Sequence, residues 1–194
     1  MIKKAVLDAD SMGVQYLGLA ALNKAEWLNH GGVDLLPHLT GRSIKLVHGN
    51  TLTAAAVYHA LCMKTNPTDA VFVTGATSKI GRALCLMLAS RGNPVVMMTA
   101  STARFNGIRA ECYRELGAEA AARLSAAASY AEGEACACWV IGKWITEEEL
   151  RAHVPAAGLV IDYAVPHIQP RSDSKYRYVN GAALTCSQQQ ASSP

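Results

Sequence analysis

The stretch "VFVTGATSKIGRALCLMLASRG", Val71 to Gly92, decides the fold. An apolar run leads into Thr74-Gly75 and a tight turn. A helical repeat then sets Ile80, Leu84, Met87 and Leu88 at i, i+4, i+7 and i+8 on one inward stripe. Strand, glycine turn and amphipathic helix in that order make a phosphate cradle, because unpaired N–H groups and the positive dipole end meet at the turn. Gly75 permits the turn, Gly81 lets the helix lie close on the strand, and Ser78 is placed to cap the helix. The loop pattern T-G-x-x-x-G-x-G wants a further glycine where this chain has Lys79. Lysine adds bulk where backbone would approach phosphate, yet its ammonium can reach a phosphate oxygen. Two readings stand. Gly75, Thr77, Ser78, Lys79, Ile80 and Gly81 hold a dinucleotide, or the loop is a relic that only turns the corner.

The next strand bears on the cofactor. A dinucleotide site for NAD puts Asp or Glu at that strand's end, for the ribose hydroxyls. Here the end reads "MTASTARF", with Thr99, Ser101, Thr102 and Arg104 and no acid. Hydroxyls with an arginine suit a 2′-phosphate, so the expected cofactor is NADP(H), through Thr99, Ser101 and Arg104. The bland alternative is a polar helix start with Arg104 in solvent.

Outward from this unit, apolar runs alternate with helical patterns. A helix is expected over residues 2–12, then strands at "VQYLGLAAL" (14–22) and "SIKLVHG" (43–49). Asn50 is expected to cap the helix "TLTAAAVYHALC" (51–62). Strands follow at "AVFVTG" (70–75) and "PVVMMTA" (94–100), then an Ala-rich helical region over 101–128, broken near Gly107 or Gly117. The strand "CACWVIG" (136–142) precedes a helix whose start, Thr146 with Glu149 three residues on, is a capping box; Pro155 ends it. "GLVIDYAV" (158–165) is the last clear strand. Six apolar strands alternating with helices predict an α/β, Rossmann-like fold: a doubly wound, mostly parallel sheet with helices on both faces. The glycine-loop strand would be third in it. A single domain is expected over 1–186, with a disordered tail over 187–194, where "SQQQASSP" has nothing to bury.

Composition agrees with a buried sheet. Hydrophobic residues make up 51% of the 194 and charged ones 17%. Net charge is +3 and the 18 basic residues are scattered, so no nucleic-acid surface is expected. Every apolar run is interrupted well before the ~20 residues that span a bilayer, and no signal peptide follows Lys3 and Lys4. A cytoplasmic chain is expected.

Certain motifs are missing. No tyrosine has a lysine four residues later, so the proton donor of short-chain dehydrogenases has no counterpart. The histidines lack H-x-x-H or H-x-x-x-H spacing, so no metal site is expected. His48 and His167, at strand ends, lie where ligands meet parallel sheets. The six cysteines sit mostly in apolar runs without C-x-x-C and are expected reduced and buried, with Cys136 and Cys138 on one strand face. No catalytic residue can be named.

Five ordered blocks, "LGLAALNKAEWLNHGG", "LVHGNTLTAAAV", "VFVTGATSKIGRALCLMLASRG", "MMTASTARFNGIRAE" and "WVIGKWIT", together resemble the C-terminal domain of the plant eceriferum/glossy wax-biosynthesis family, which includes very-long-chain aldehyde decarbonylases. The likeness runs from about Ile2 to Cys186 and is greatest to the glossy branch. It implies that the T-S-K loop belongs to the family pattern, so Lys79 is not decay. It implies a role in forming fatty aldehyde from a very-long-chain acyl thioester, with very-long-chain acyl or aldehyde substrates and a membrane-bound, iron-containing wax-synthesis partner. Full-length members carry histidine clusters for iron in an N-terminal membrane domain; no such cluster stands in these 194 residues, which are expected to be either a fragment or a stand-alone version beside a separate partner, and location at the endoplasmic reticulum would come through a partner or such a domain. "HGNTLTAAAV" before the glycine loop also resembles, more faintly, acyl-(acyl-carrier-protein) reductases, whose cysteine nucleophile has no obvious match here. The alternative is a non-catalytic module that docks onto that partner.

Overall fold

The computed structural model describes residues 1–19 and 26–181. The end of the first expected strand, Cys186 and the tail over 187–194 lie outside the described residues. The chain divides into two compact units, Met1–Leu52 and Thr53–Pro194.

The first unit holds α1 (Ile2–Ser11), β1 (Tyr16–Leu19), α2 (Glu26–Asn29), a 3₁₀ segment (His30–Leu39) broken by left-handed Gly31 and Gly32, and β2 (Lys45–His48). β1 and β2 pair in parallel as a two-stranded sheet, Tyr16 opposite Lys45 and Leu19 opposite His48. Val6, Leu19, Leu35 and Ile44 form its core. These two strands therefore do not enter the main sheet, contrary to the expectation from the apolar runs. A short apolar run fits any parallel sheet, and its local pattern does not choose which. The next helix, α3, runs Gly49–Lys64. It starts one residue before Asn50, whose N–H donates to Nδ1 of His48 at 3.3 Å.

The second unit continues with β3 (Val71–Thr74), α4 (Lys79–Arg91), β4 (Val95–Met98), α5 (Thr102–Leu116), α6 (Ala118–Ala122), β5 (Leu124–Ala127), a 3₁₀ turn (Tyr130–Gly133), β6 (Cys138–Ile141), α7 (Glu147–His153), β7 (Leu159–Asp162) and β8 (Arg177–Asn180). Its sheet has the order β5-β4-β3-β6-β7-β8, with every pair parallel. The glycine-loop strand is first in this sheet, and the order reverses between β3 and β6. That is the doubly wound arrangement, with a ligand crevice at the reversal.

β3, β6 and β7 are buried at all four positions, as strands covered on both faces must be. Against one face Val71, Val73, Cys138 and Val140 pack with Val57 and Leu61 of α3, Leu84 and Leu88 of α4 and Ile108 of α5. Against the other, Phe72, Trp139 and Val160 meet Leu150 of α7, Val154 and Ile168. Trp139 lies 4.3 Å from the Phe72 ring and donates its indole N–H to the Gly133 carbonyl at 3.0 Å. Cys136 and Cys138 join opposite cores rather than one face, because the strand begins only at Cys138.

The expected helical stretch over 101–128 is α5, a break at Gly117 with φ of 90°, α6, and then the strand β5. Gly107 lies inside α5. β8 was not foreseen.

Candidate functional site

At the reversal, β3 turns sharply into α4. Gly75 has a φ of 63°, and a Cβ there would lie 3.0 Å from the carbonyl carbon and oxygen of Gly142. A Cβ on Gly81 would lie 2.2 Å from the Gly75 oxygen and 2.9 Å from Ala76 Cα. Both glycines are thus demanded by backbone approach: one makes the turn, the other presses the helix N-terminus onto it. Ser78 caps α4, its Oγ accepting from the Gly81 N–H at 3.0 Å. The buried Thr74 hydroxyl accepts from the N–H of Gly142 at 3.1 Å and of Lys143 at 3.3 Å, tying the ends of β3 and β6 together.

A cleft of about 400 Å³ opens here. Thr74, Gly75 and Thr77 come to it from the end of β3; Met98, Thr99, Ala100, Ser101 and Arg104 from the end of β4. Ala128 and Tyr130 follow β5, and Lys143 follows β6. Five residues singled out from sequence, Gly75, Thr77, Thr99, Ser101 and Arg104, meet in its wall. The other four do not line it. Ser78 is spent on the cap, Ile80 packs on the core, Gly81 is buried beneath the turn, and Lys79 opens α4 on the exposed side. Thr74, Tyr130 and Lys143 were missed; Lys143 directly follows an apolar strand-Gly run, a signal that could have marked it.

Among the described residues the lining carries two cations, Arg104 and Lys143, and no carboxylate. Thr99 Oγ1 accepts from the Ser101 N–H at 3.1 Å, and Ser101 Oγ accepts from the Arg104 N–H at 3.3 Å as the cap of α5. Each hydroxyl uses a lone pair locally and keeps its proton to donate. Such a cleft suits a phosphate-bearing ligand.

Beyond β7 the polar groups turn inward. Asp162, fully buried, accepts from the N–H groups of Ala164 and Ile168 and from the Tyr178 hydroxyl, each at 2.8 Å. Burial and the Asp162 carboxylate push the Tyr178 phenol far up. Tyr163 is 7% exposed, and among the described residues its hydroxyl has no hydrogen-bond partner. Burial pushes its phenol up to about 12, with Ser78 alongside pulling the other way from outside bonding geometry.

Cys62, Cys85, Cys112, Cys136 and Cys138 are free, and all but Cys62 are buried. Burial lifts the Cys138 thiol to about 12 and Cys85 higher still, the reverse of what a nucleophile needs. His48 belongs to the two-stranded sheet, and His167 is exposed after β7. Among the described residues no three His, Cys, Asp or Glu gather as a metal site, and no helix is long and apolar enough to cross a membrane.

Residues 71–192 match the family described as CER1-like, C-terminal domain. The chain belongs to this family. Two relatives of the CER1-like domain come from rice, Oryza sativa subsp. indica. They are very-long-chain aldehyde decarbonylase GL1-1, 39% identical over 175 residues, and GL1-2, 41% identical over 167. The matches cover 90% and 86% of this chain but 27% and 25% of those proteins. Very-long-chain aldehyde decarbonylase CER1 of Arabidopsis thaliana is 30% identical over 156 residues, 77% of this chain and 22% of that one. The chain thus spans about a quarter of the length of these curated relatives. The likeness carried by the five sequence blocks is to this same family. Among solved structures, a quinone oxidoreductase of Pseudomonas syringae pv. Tomato DC3000 superposes with a TM-score of 0.50 at 14% identity, over 66% of this chain and 43% of that one. A dipicolinate synthase chain of Bacillus halodurans gives 0.50 at 16% identity, over 78% and 58%. At such identities these show the fold alone, and the fold is Rossmann-like α/β.

Proposed function

We propose that this CER1-like domain binds NADP(H) in the cleft at the ends of β3, β4, β5 and β6, and serves the formation of fatty aldehyde from a very-long-chain acyl thioester in wax and alkane biosynthesis. One observation carries the reading: the cleft at the sheet's reversal holds Arg104, Lys143 and donor hydroxyls with no acid. The residues fit the group. The Gly75–Gly81 cradle and the first turn of α4 would take the pyrophosphate, with Thr77 in the wall and Lys79 and Lys143 adding charge. Thr99, Ser101 and Arg104 would take the 2′-phosphate. NADPH, when bound, supplies a hydride; the chain's own part is to grip the cofactor's phosphates. Titration of the purified chain should then find NADPH tighter than NADH. Arg104→Ala, removing a charge-assisted contact worth ~1.5–3 kcal/mol, should erase about 10- to 150-fold of that preference and leave NADH binding nearly unchanged. Equal affinity for the two cofactors in the unmutated protein would rule the reading out.

A second reading is a non-catalytic module that docks onto a membrane-bound, iron-containing wax-synthesis partner, and is cytoplasmic, held at the endoplasmic reticulum by it. The burial of Cys85, Cys112, Cys136 and Cys138, which raises all four thiols, favours it, since none of these four is poised to take an acyl group. Hydride transfer from NADPH to a very-long-chain acyl-CoA by the purified chain would eliminate it.

A further inference from the structure

The sheet offers a dinucleotide two halves, one over β3-β4-β5 and one over β6-β7-β8, joined where the order reverses. Among the described residues the cleft's wall comes from the ends of β3, β4, β5 and β6, with nothing from β7 or beyond. The path between the halves runs past Gly75 and Gly142, whose backbones meet: a Cβ on Gly75 would touch the Gly142 carbonyl at 3.0 Å. On the other side of Gly142 stands Tyr163. A Cβ on Gly142 would lie 2.0 Å from its hydroxyl oxygen and 2.4 Å from Cζ, so the tip of the phenol rests on the glycine. The ring is buried, and its hydroxyl is bonded to none of the described residues. It is held there by shape.

We infer that Tyr163 closes the second half of the crevice, so that the domain grips the adenosine 2′-phosphate and pyrophosphate of NADP(H) and leaves the nicotinamide unheld. This rests on the reading that the cleft binds NADP(H).

The probe is 2′-phospho-adenosine diphosphate ribose, which is NADP without its nicotinamide, compared with NADPH by calorimetry. The two should bind within about 3-fold, and the NADPH fluorescence should keep its free-solution intensity and its quenching by iodide when bound. Tyr163→Phe keeps the ring and should leave that ratio where it is. Tyr163→Ala removes the ring and should give NADPH an advantage of 10-fold or more. NADPH at least 30-fold tighter than the probe in the unmutated protein would overturn the inference, and so would a ratio that Tyr163→Ala does not move. If neither compound binds, the cofactor reading itself falls and takes this inference with it.

Discussion

The two halves of the six-stranded sheet treat their polar groups in opposite ways. At the ends of β3, β4 and β5 the hydroxyls of Thr99 and Ser101 satisfy nearby N–H groups, keep their protons, and sit in an open wall beside Arg104. At the end of β7 the buried Asp162 consumes itself on Ala164, Ile168 and Tyr178, and Tyr163 packs onto Gly142. One half presents donors outward; the other spends them on holding the chain. Substitutions on the first should therefore weaken the ligand's hold as well as the fold, and those on the second should act on stability, with Tyr163→Ala, which opens the crevice, as the exception.

The largest effect belongs to Gly81→Ala. Its methyl would meet backbone at 2.2 and 2.9 Å with no flexible side chain to yield. Overpacking of this kind costs about 3 kcal/mol or more, and displaced α4 should bind no dinucleotide. Urea unfolding and titration check both, and a variant as stable as the parent would break the account of the cradle. Asp162→Asn comes next, at about 2–3 kcal/mol, since one of its three bonds loses an acceptor inside the protein. NADPH affinity should hold among the molecules that remain folded; a loss would mean that the halves are not separate in function.

Tyr163→Phe should stabilise by about 1–2 kcal/mol, because it removes a buried hydroxyl with no partner. It also carries a pH signature. The folded phenol titrates near 12 against 10.0 when free, so the fold favours its neutral form. That contribution is whole below pH 10 and is lost as pH climbs from 10 toward 12. The alkaline fall in unfolding free energy should be shallower in the Phe variant. Cys138, raised from 9.0 to about 12, adds a fall that begins lower and is common to both proteins. Parallel curves would remove Tyr163 from the account.

Paired cap deletions sharpen the contrast. Thr146→Ala opens the capping box of α7 and Ser101→Ala uncaps α5; each should cost about 1 kcal/mol. Only Ser101→Ala should also weaken NADPH. Smallest of all, Lys79→Ala should lower the affinity of NADPH and NADH alike by a few-fold, fading as salt is raised. Tighter binding by Lys79→Gly would mark the lysine as an obstruction.

How much of this was legible in the sequence follows from position in the sheet. β3, β6 and β7 are covered on both faces, so they appear as unbroken apolar runs and were found. The two missed strands, β5 and β8, are the sheet's two edges. "LSAA" is exposed at its middle two positions and follows an Ala-rich helix; pairing with β4, Leu124 opposite Val95, decides its state where propensity would not. "RYVN" is exposed at Arg177 and only half-buried beyond. The cleft was half legible for a related reason. Gly75 to Arg104 lie on two consecutive strand ends and could be read together. Lys143 reaches Thr74 across 69 residues of chain, a proximity made by topology alone.

The Thr74 hydroxyl, one oxygen accepting two N–H groups across the reversal, also bears on time. It fixes the crevice's width before any ligand arrives, so no slow widening of the strand ends need precede binding. Capture should then be a single concentration-dependent phase in stopped flow. Differences among nucleotides would be written in how long each stays, while all enter at similar speed.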